Sequence, residues 1–254
     1  MQESQGTTLP RMVILDEIDS TNLYAMRLIQ ANMAEHGLVV MAKHQTAGKG
    51  QRGKQWHSLP GENLLFSMVL QTKGWPLQQQ FIWNMAVALA CRELVAEEVD
   101  VECKIKWPND LFIGDKKAGG ILIENVVRGD WTWTVVGVGM NIHQTSFGEE
   151  LQHKATSLAI ENKRKVAWEL EKIATRLGKK LLAVADWQEK QRKICADYNK
   201  HLYRLGEEVF IQKGDFIERV RVLGVDEQGL MQVKCGEILE KLIHGEAEWI
   251  VVPH

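Results

Sequence analysis

The chain has 254 residues, with 31 Lys and Arg against 33 Asp and Glu, a formal net charge of -2 and 45% hydrophobic residues. That length allows one large core and a second small domain, and the balanced charge excludes a global attraction to nucleic acid or anionic membranes, so any electrostatic role must be local. The four cysteines (Cys91, Cys103, Cys195 and Cys235) form no CxxC pair and read as buried cytosolic thiols, and the histidines show no metal-ligand spacing. The polar stretch from Met1 to Thr8 lacks the pattern of a secretory signal and no apolar run reaches membrane-spanning length, so a cytoplasmic protein is expected.

Residues 12 to 15 favour a strand, and Ser20 is placed to cap a helix over 21 to 34 with Ala25, Leu28 and Ile29 on one face. Strands are expected at 38 to 43 and 63 to 70, then a helix over 77 to 98 bounded by Pro76 and Asp100. Further strands follow at 103 to 107, 110 to 113, 119 to 127 and 131 to 138, with a hairpin turn at Ile113 to Lys116 where Gly114 supplies positive φ. Val166, Leu170, Ile173, Leu177 and Leu181 recur at helical spacing and predict one long helix over 165 to 197. From Gly206 the chain turns to short β-rich pieces separated by glycines, which reads as a small barrel. The expectation is an α+β catalytic domain over 1–205 with a mixed sheet and flanking helices, then an all-β domain over 206–254.

The segment from Gln45 to Trp56 (Gln-Thr-Ala-Gly-Lys-Gly-Gln-Arg-Gly-Lys-Gln-Trp) carries three cations and no acid directly after a strand. Gly48 and Gly50 let backbone approach an anion, while Lys49, Arg52 and Lys54 supply charge and donors for carboxylate or phosphate oxygens. A basic surface turn is the alternative. The segment also fits the dinucleotide-binding and P-loop glycine patterns, and both fail on context: Gln55 stands where a P-loop needs Ser or Thr, and Trp56 to Gly61 turns into a strand instead of a helix.

Lys104 to Leu111 (Lys-Ile-Lys-Trp-Pro-Asn-Asp-Leu) alternates into a strand that stops at Pro108. Alternation places Lys104 and Lys106 on one face, either toward a site as compact cations for a reacting phosphate or toward water. Gly137 to Ile142 closes another strand with small residues and an amide at Asn141. Trp56 and Trp107 suit either base stacking or the core.

Taken in order, these residues resemble the biotin protein ligase family from Met12 to Val252, in its form without an N-terminal DNA-binding domain. Ser20-Thr21-Asn22 is similar to the family's S-T-N element, Gln45 to Trp56 to its Q-x-A-G-R-G-R-x-G-R-x-W loop, and Lys106 to Leu111 to its K-W-P-N-D-L. Lys117 to Glu124 resembles K-x-x-G-I-L-x-E, and Gly137 to Ile142 resembles G-I-G-I-N-V.

The resemblance implies a fold like the class II synthetases followed by an SH3-like barrel. It also implies a ligase that converts biotin and ATP to biotinyl-5'-AMP and passes biotin to a lysine of a biotin carboxyl carrier protein. Ser20, Thr21, Asn22 and Gln45 would hold the ureido ring, Gly48, Lys49, Gly50 and Gln51 the carboxylate, and Lys106 would sit between carboxylate and α-phosphate as the catalytic cation. Lys49, Arg52, Lys54, Trp56, Asn109, Lys117 and Asn141 would position the nucleotide. Mg2+ would arrive with ATP, and the chain would act as monomer or homodimer. Some family members carry a helix-turn-helix domain, for which the eleven or so residues before the first strand are too few, so no nucleic acid and no membrane partner is expected.

Lys49, Gln51 and Lys54 stand where the family has arginines, and Arg52 or Lys54 is expected to compensate in retaining the adenylate. Two other readings stand beside the main one. A lipoate-protein ligase is disfavoured because its R-R-x-x-G-G-G-x-V-x-H pattern is absent, and a non-catalytic biotin-binding regulator is disfavoured by the intact Lys106.

Overall fold

The computed structural model describes residues 10–72, 75–128, 130–162, 166–184 and 190–250, and they form two sheets with helices packed on the larger. The first part runs β1 (Met12–Ile18), α1 (Thr21–Gln30), β2 (Val39–Gln45), β3 (Asn63–Gln71), α2 (Gln80–Glu98), β4 (Cys103–Lys106), β5 (Asp110–Ile113), β6 (Lys116–Arg128) and β7 (Asp130–Asn141). Three helices follow, α3 (Leu158–Glu161), α4 (Leu170–Val184) and α5 (Gln191–Lys200). The strands assemble in the order β1-β2-β3-β7-β6-β5-β4, with β1 parallel to β2 and the other neighbours antiparallel. This is the mixed α+β sheet the alternating patterns predict.

Strand alternation divides the core. Val40, Val69 and Val135 face α1 and pack with Ala25 and Ile29. Val39, Met41, Phe66 and Met68 belong to the larger cluster that holds α2 and α4. Every residue of β3 from Asn63 to Leu70 is buried, because helices cover both faces of the sheet there.

The registers also fix the site. One row across the sheet reads Lys106, Asp110, Gly120, Gly139 and Leu65, and the next reads Leu122, Gly137 and Ser67. Glycines therefore form a floor on the α1 face, bounded by Lys106 and Asp110 at one end and by the start of α1 at the other.

The second sheet, β8 (Glu208–Lys213), β9 (Phe216–Val225), β10 (Met231–Cys235), β11 (Ile238–Leu242) and β12 (Glu248–Ile250), is antiparallel in the order β11-β10-β9-β8-β12. Ile211, Val220, Val222, Met231 and Val233 make its interior. Backbone bonds from Ile105 N to His201 O at 2.8 Å and from Tyr203 N to Ile105 O at 2.9 Å tie the segment leading into it to β4.

Several expectations are corrected. The helix foreseen over 165 to 197 is two helices: 166 to 169 are not helical, 165 and 185–189 lie outside the described residues, and α5 runs on to Lys200. The apolar period belongs to α4, whose Ile173, Leu177 and Leu181 are buried. Helix α1 stops at Gln30, and Ser20, in the N-cap position, makes no side-chain capping bond. Only Cys91 and Cys103 are buried, whereas Cys195 and Cys235 are half-buried, and all four are free thiols. Gly114 does turn the β5–β6 hairpin, at φ +56°. Among the described residues no helix is long and apolar enough to cross a membrane.

Candidate active site

Above the glycine floor lies a cavity of about 520 Å³, lined from both parts of the chain. The floor has to be glycine. A Cβ on Gly137 would sit 2.1 Å from Asn22 Oδ1, and one on Gly139 would sit 2.4 Å from the Trp56 ring. The first residues of α1 and the indole of Trp56 thus lie directly on the sheet backbone and wall the cavity.

One wall is neutral and closely bonded. Ser20, Thr21 and Asn22 are buried at the start of α1. Gln45, at the end of β2, accepts from Thr21 N at 2.8 Å, and its Oε1 lies 3.0 Å from Thr21 Oγ1. Behind them Ser67 Oγ is 2.7 Å from Thr21 Oγ1 and 2.6 Å from Asn22 Oδ1, and Asn22 Nδ2 donates to Glu124 Oε2 at 2.8 Å.

The opposite wall is a cationic hairpin. Lys49 and Gln55 pair across it, Gly50 N donates to Lys54 O at 2.7 Å, and Gln51–Gly53 make a single 3-10 turn at the tip, with no helix after it. Arg52 adopts the left-handed region at φ 55°, which aims its side chain at the second sheet's loop. A Cβ on Gly245 would fall 1.3 Å from Arg52 Nη1, so the guanidinium packs directly against that glycine, Nη1 nearest. Lys54 Nζ is 3.5 Å from Glu248 Oε1. The hairpin and the His244 to Glu248 segment therefore meet over the cavity.

Lys106 stands between these walls. Its Nζ lies 5.2 Å from the Phe112 ring and 6.0 Å from the Trp249 ring, and among the described residues it forms no ion pair. Burial pushes its pKa below the ordinary lysine value; Asp110 pulls it up, while Lys117 and Lys54 push it down. Asp110 is itself taken by Lys117, whose Nζ is 2.7 Å from Oδ1 and 5.7 Å from the Trp56 ring centroid. Lys104, on the same strand face, pairs instead with Glu102 at 2.7 Å. An ammonium in no ion pair among the described residues, with aromatic faces beside it, is free to meet an anionic ligand.

Of the residues singled out from sequence, Ser20, Thr21, Asn22, Gln45, Lys49, Gly50, Gln51, Arg52, Lys54, Trp56, Lys106, Asn109 and Lys117 all line this cavity. Two do not. Gly48 is buried against Trp56, where a Cβ would meet Trp56 O at 2.4 Å, so its contribution is close packing of the hairpin base. Asn141 is buried and donates to Thr156 O at 2.9 Å, which ties the end of β7 to the segment before α3. Asn109 reaches the cavity with its amide nitrogen bonded to Ile121 O. Trp107 is 5% exposed and donates to Gly229 O at 3.0 Å, which makes it chiefly a core residue.

Sequence reasoning missed Ser67, Glu124 as a partner of Asn22, and the His244 to Trp249 segment. Ser67 had a signal, a lone hydroxyl inside the apolar run Leu64 to Leu70. His244 stacks edge-on against Trp107 with centroids 5.7 Å apart, and burial, with Arg52 beside it, pushes its pKa down.

The family described as the biotin/lipoate A/B protein ligase family matches residues 14–141. The bifunctional ligase/repressor BirA of Bacillus spizizenii is 36% identical over 151 residues, 58% of this chain and 46% of its own length, so the chain spans about half the length of that relative. The biotin–[acetyl-CoA-carboxylase] ligase of Mycobacterium tuberculosis is 28% identical over 91% of this chain and 86% of that protein. Among solved structures, the biotin protein ligase from Aquifex aeolicus in complex with biotin and ATP superposes with a TM-score of 0.79 at 25% identity, over 95% of this chain and 99% of that one. With a match over half its length, centred on the sheet that carries the cavity, the chain belongs to the biotin/lipoate A/B protein ligase family.

Proposed function

We propose that the chain is a biotin protein ligase that joins biotin to ATP and then to a lysine of a carboxylase's biotin carrier domain. The observation that carries this reading is the position of Lys106, a half-buried ammonium that forms no ion pair among the described residues, between a neutral hydrogen-bonding wall and a cationic hairpin. A ligand with an uncharged polar head and a carboxylate tail fits that division, with its head against Thr21, Asn22 and Gln45 and its carboxylate toward Lys106 and the hairpin amides. In the first step a carboxylate oxygen attacks the α-phosphorus, the bond to the bridging oxygen breaks and pyrophosphate leaves. In the second, the acceptor's neutral amine attacks the carbonyl carbon, AMP leaves and the amine's proton passes to solvent. Lys106 supplies positive charge where negative charge gathers at the α-phosphate, an effect strengthened as the hairpin excludes water.

Mg2+ would be held by ATP's own phosphates. The two carboxylates on the cavity, Asp110 and Glu248, face Lys117 and Lys54, and no cluster of three metal-ligating side chains exists among the described residues. His244, Trp249 and Arg52 support a role for the second sheet in covering the nucleotide. Pyrophosphate exchange into ATP, run with biotin and with lipoate, tests the reading. Biotin-dependent exchange that is lost in Lys106→Ala supports it; exchange only with lipoate would move the chain to the lipoate branch, and binding of biotin without exchange would make it a regulator.

A further inference from the structure

The turn between β11 and β12 brings to the cavity a titratable group that the two chemical steps do not use. Glu246 N donates to Ile243 O at 3.1 Å and Ile243 N donates to Glu246 Oε2 at 3.1 Å, so the turn closes on itself, with Gly245 in the left-handed region at φ +90°. His244, the second residue of this turn, lines the cavity from the side of the second sheet. Its ring meets Trp107 edge-on with centroids 5.7 Å apart, and Trp107 Nε1 is tied to Gly229 O at 3.0 Å, so the imidazole has a fixed support. Among the described residues its ring nitrogens make no hydrogen bond and no ion pair.

The charge around that ring is mostly positive. The hairpin brings Arg52, whose guanidinium packs against the adjoining Gly245, and Lys54; β5 brings Asp110. The nearby acids are engaged: Asp110 by Lys117 at 2.7 Å, Glu248 by Lys54 at 3.5 Å, and Glu246 by the backbone of its own turn. Arg52 forms no ion pair among the described residues. Partial burial first, then Arg52 and Lys54, push the His244 pKa down against the pull of Asp110, so the resting ring is mostly neutral at pH 7. A ligand with several negative charges reverses that balance. With the α-phosphate at Lys106 and the nucleoside toward Trp56 and Lys117, the corner between Arg52 and His244 is left for the two outer phosphates of ATP. A phosphate oxygen accepts a stronger, charge-assisted hydrogen bond from an imidazolium than from a neutral ring.

We infer that His244 is a binding residue for the outer phosphates of ATP, engaged as the imidazolium, so that the tail draws a proton from solvent as it enters and pyrophosphate returns it on leaving. The inference rests on the biotin reading and deepens it. A group whose pKa rises on binding favours the complex fully below the pKa of the free ring, and that contribution is lost as pH rises through the raised pKa of the complex.

Steady-state pyrophosphate exchange with biotin, run at about pH 6 and about pH 8.5 on wild type, His244→Gln and His244→Lys, tests it. Ionisation of the phosphates themselves affects all three proteins alike and cancels in the ratios. His244→Gln is expected to raise KM for ATP and for pyrophosphate ~10-fold over wild type at the acid pH and ~2-fold or less at the alkaline one, the loss of one charge-assisted bond, with KM for biotin unchanged. His244→Lys, charged at both, should stay within ~3-fold of wild type at the acid pH and bind ATP more tightly than wild type at the alkaline one. Release of biotinyl-adenylate, which carries no outer phosphates, should be the same in all three in a filter assay. The inference is overturned if His244→Gln leaves KM for ATP unchanged, if it raises that KM equally at both pH values, or if His244→Lys behaves like His244→Gln. A loss confined to transfer of biotin to the acceptor also overturns it and makes His244 a base for the second step. Should His244→Gln fold poorly, a His244→Lys variant whose KM for ATP follows pH as wild type does overturns the inference by itself. A wild-type chain with no biotin-dependent exchange overturns the biotin reading and this inference with it, whereas the other adverse outcomes leave the biotin reading intact.

Discussion

The two walls of the cavity follow opposite designs. Around Thr21, Asn22 and Ser67 the polar groups are buried, uncharged and bonded to one another, with relative exposures of 3%, 3% and 0%. Across the cavity, Lys49, Arg52 and Lys54 are exposed, and their contacts to the second sheet are a guanidinium lying on a glycine and an ion pair whose partners are both 76% exposed. A buried neutral network discriminates by direction, because a mismatched ligand group strands a desolvated partner. An exposed cationic wall attracts any anion, and salt screens it. Selectivity should therefore reside in the first wall and retention of a charged intermediate in the second, with Lys106 acting between them.

The largest effect expected is at that junction. Removing a preorganised cation from developing charge costs on the order of 10² to 10³ in rate, so Lys106→Ala should lower exchange by about that factor while biotin binding, measured by calorimetry, weakens by a much smaller factor. Equal losses in binding and rate would mean that Lys106 belongs to the recognition wall. The same residue predicts a pH limb. Because burial lowers its pKa, the charged form is lost on the alkaline side before an ordinary lysine would lose it, and the adenylation rate should fall as pH rises toward 10.5. In Lys106→Arg, whatever activity remains should lack that limb, because the guanidinium stays charged.

Next in size is the floor. Gly137→Ala places a methyl 2.1 Å from Asn22 Oδ1, a group already held by Ser67 and Glu124. Overpacking of this kind costs about 1–3 kcal/mol, and here it is expected to appear as a KM for biotin raised ~10- to 100-fold. Gly139→Ala instead displaces the Trp56 ring and should weaken the hairpin wall, with faster adenylate release and a smaller change in KM. If both variants acted alike, the division between the walls would be wrong.

How much of this was readable without coordinates depended on whether partners are close in sequence. The hairpin from Gln45 to Trp56 and the strand ending at Lys106 are contiguous, so their charge and glycine content point to one cationic lining, and the structure brings them to one cavity. Gln45 meets Thr21 only because β1 and β2 are parallel neighbours, and that pairing follows from topology. Glu124 reaches Asn22 across a contact separated by 102 residues, and Ser67 across 45, which no local pattern encodes. Asn141 lies outside the cavity lining for the converse reason: a strand-ending amide reads the same whether it faces a cavity or, as here, the Thr156 carbonyl. The long helix was overextended because the helical spacing of α4 continues as a pattern past the point where the chain leaves the helix.

A smaller effect is expected in the hairpin. Arg52→Ala removes the guanidinium from Gly245, and Gly245→Ala should drive it off while leaving the charge in place. Both are expected to speed adenylate release ~3- to 10-fold in a filter assay, with the Gly245 variant keeping the salt dependence that Arg52→Ala loses. Release unchanged in both would assign retention to Lys49 or Lys54.

The smallest effect concerns stability and has the opposite sign. A cation whose folded pKa lies below its unfolded value costs stability at neutral pH, where both states are protonated; the cost is relieved as pH rises through the lowered folded pKa toward 10.5. Lys106→Met, apolar and similar in length, should therefore raise stability by about 0.5–2 kcal/mol at pH 7, with the gain shrinking at alkaline pH. Thermal melts of the two proteins across pH check this. A destabilised methionine variant would mean that the ammonium is held by favourable contacts in the resting protein, and that its role at the junction between the walls is structural.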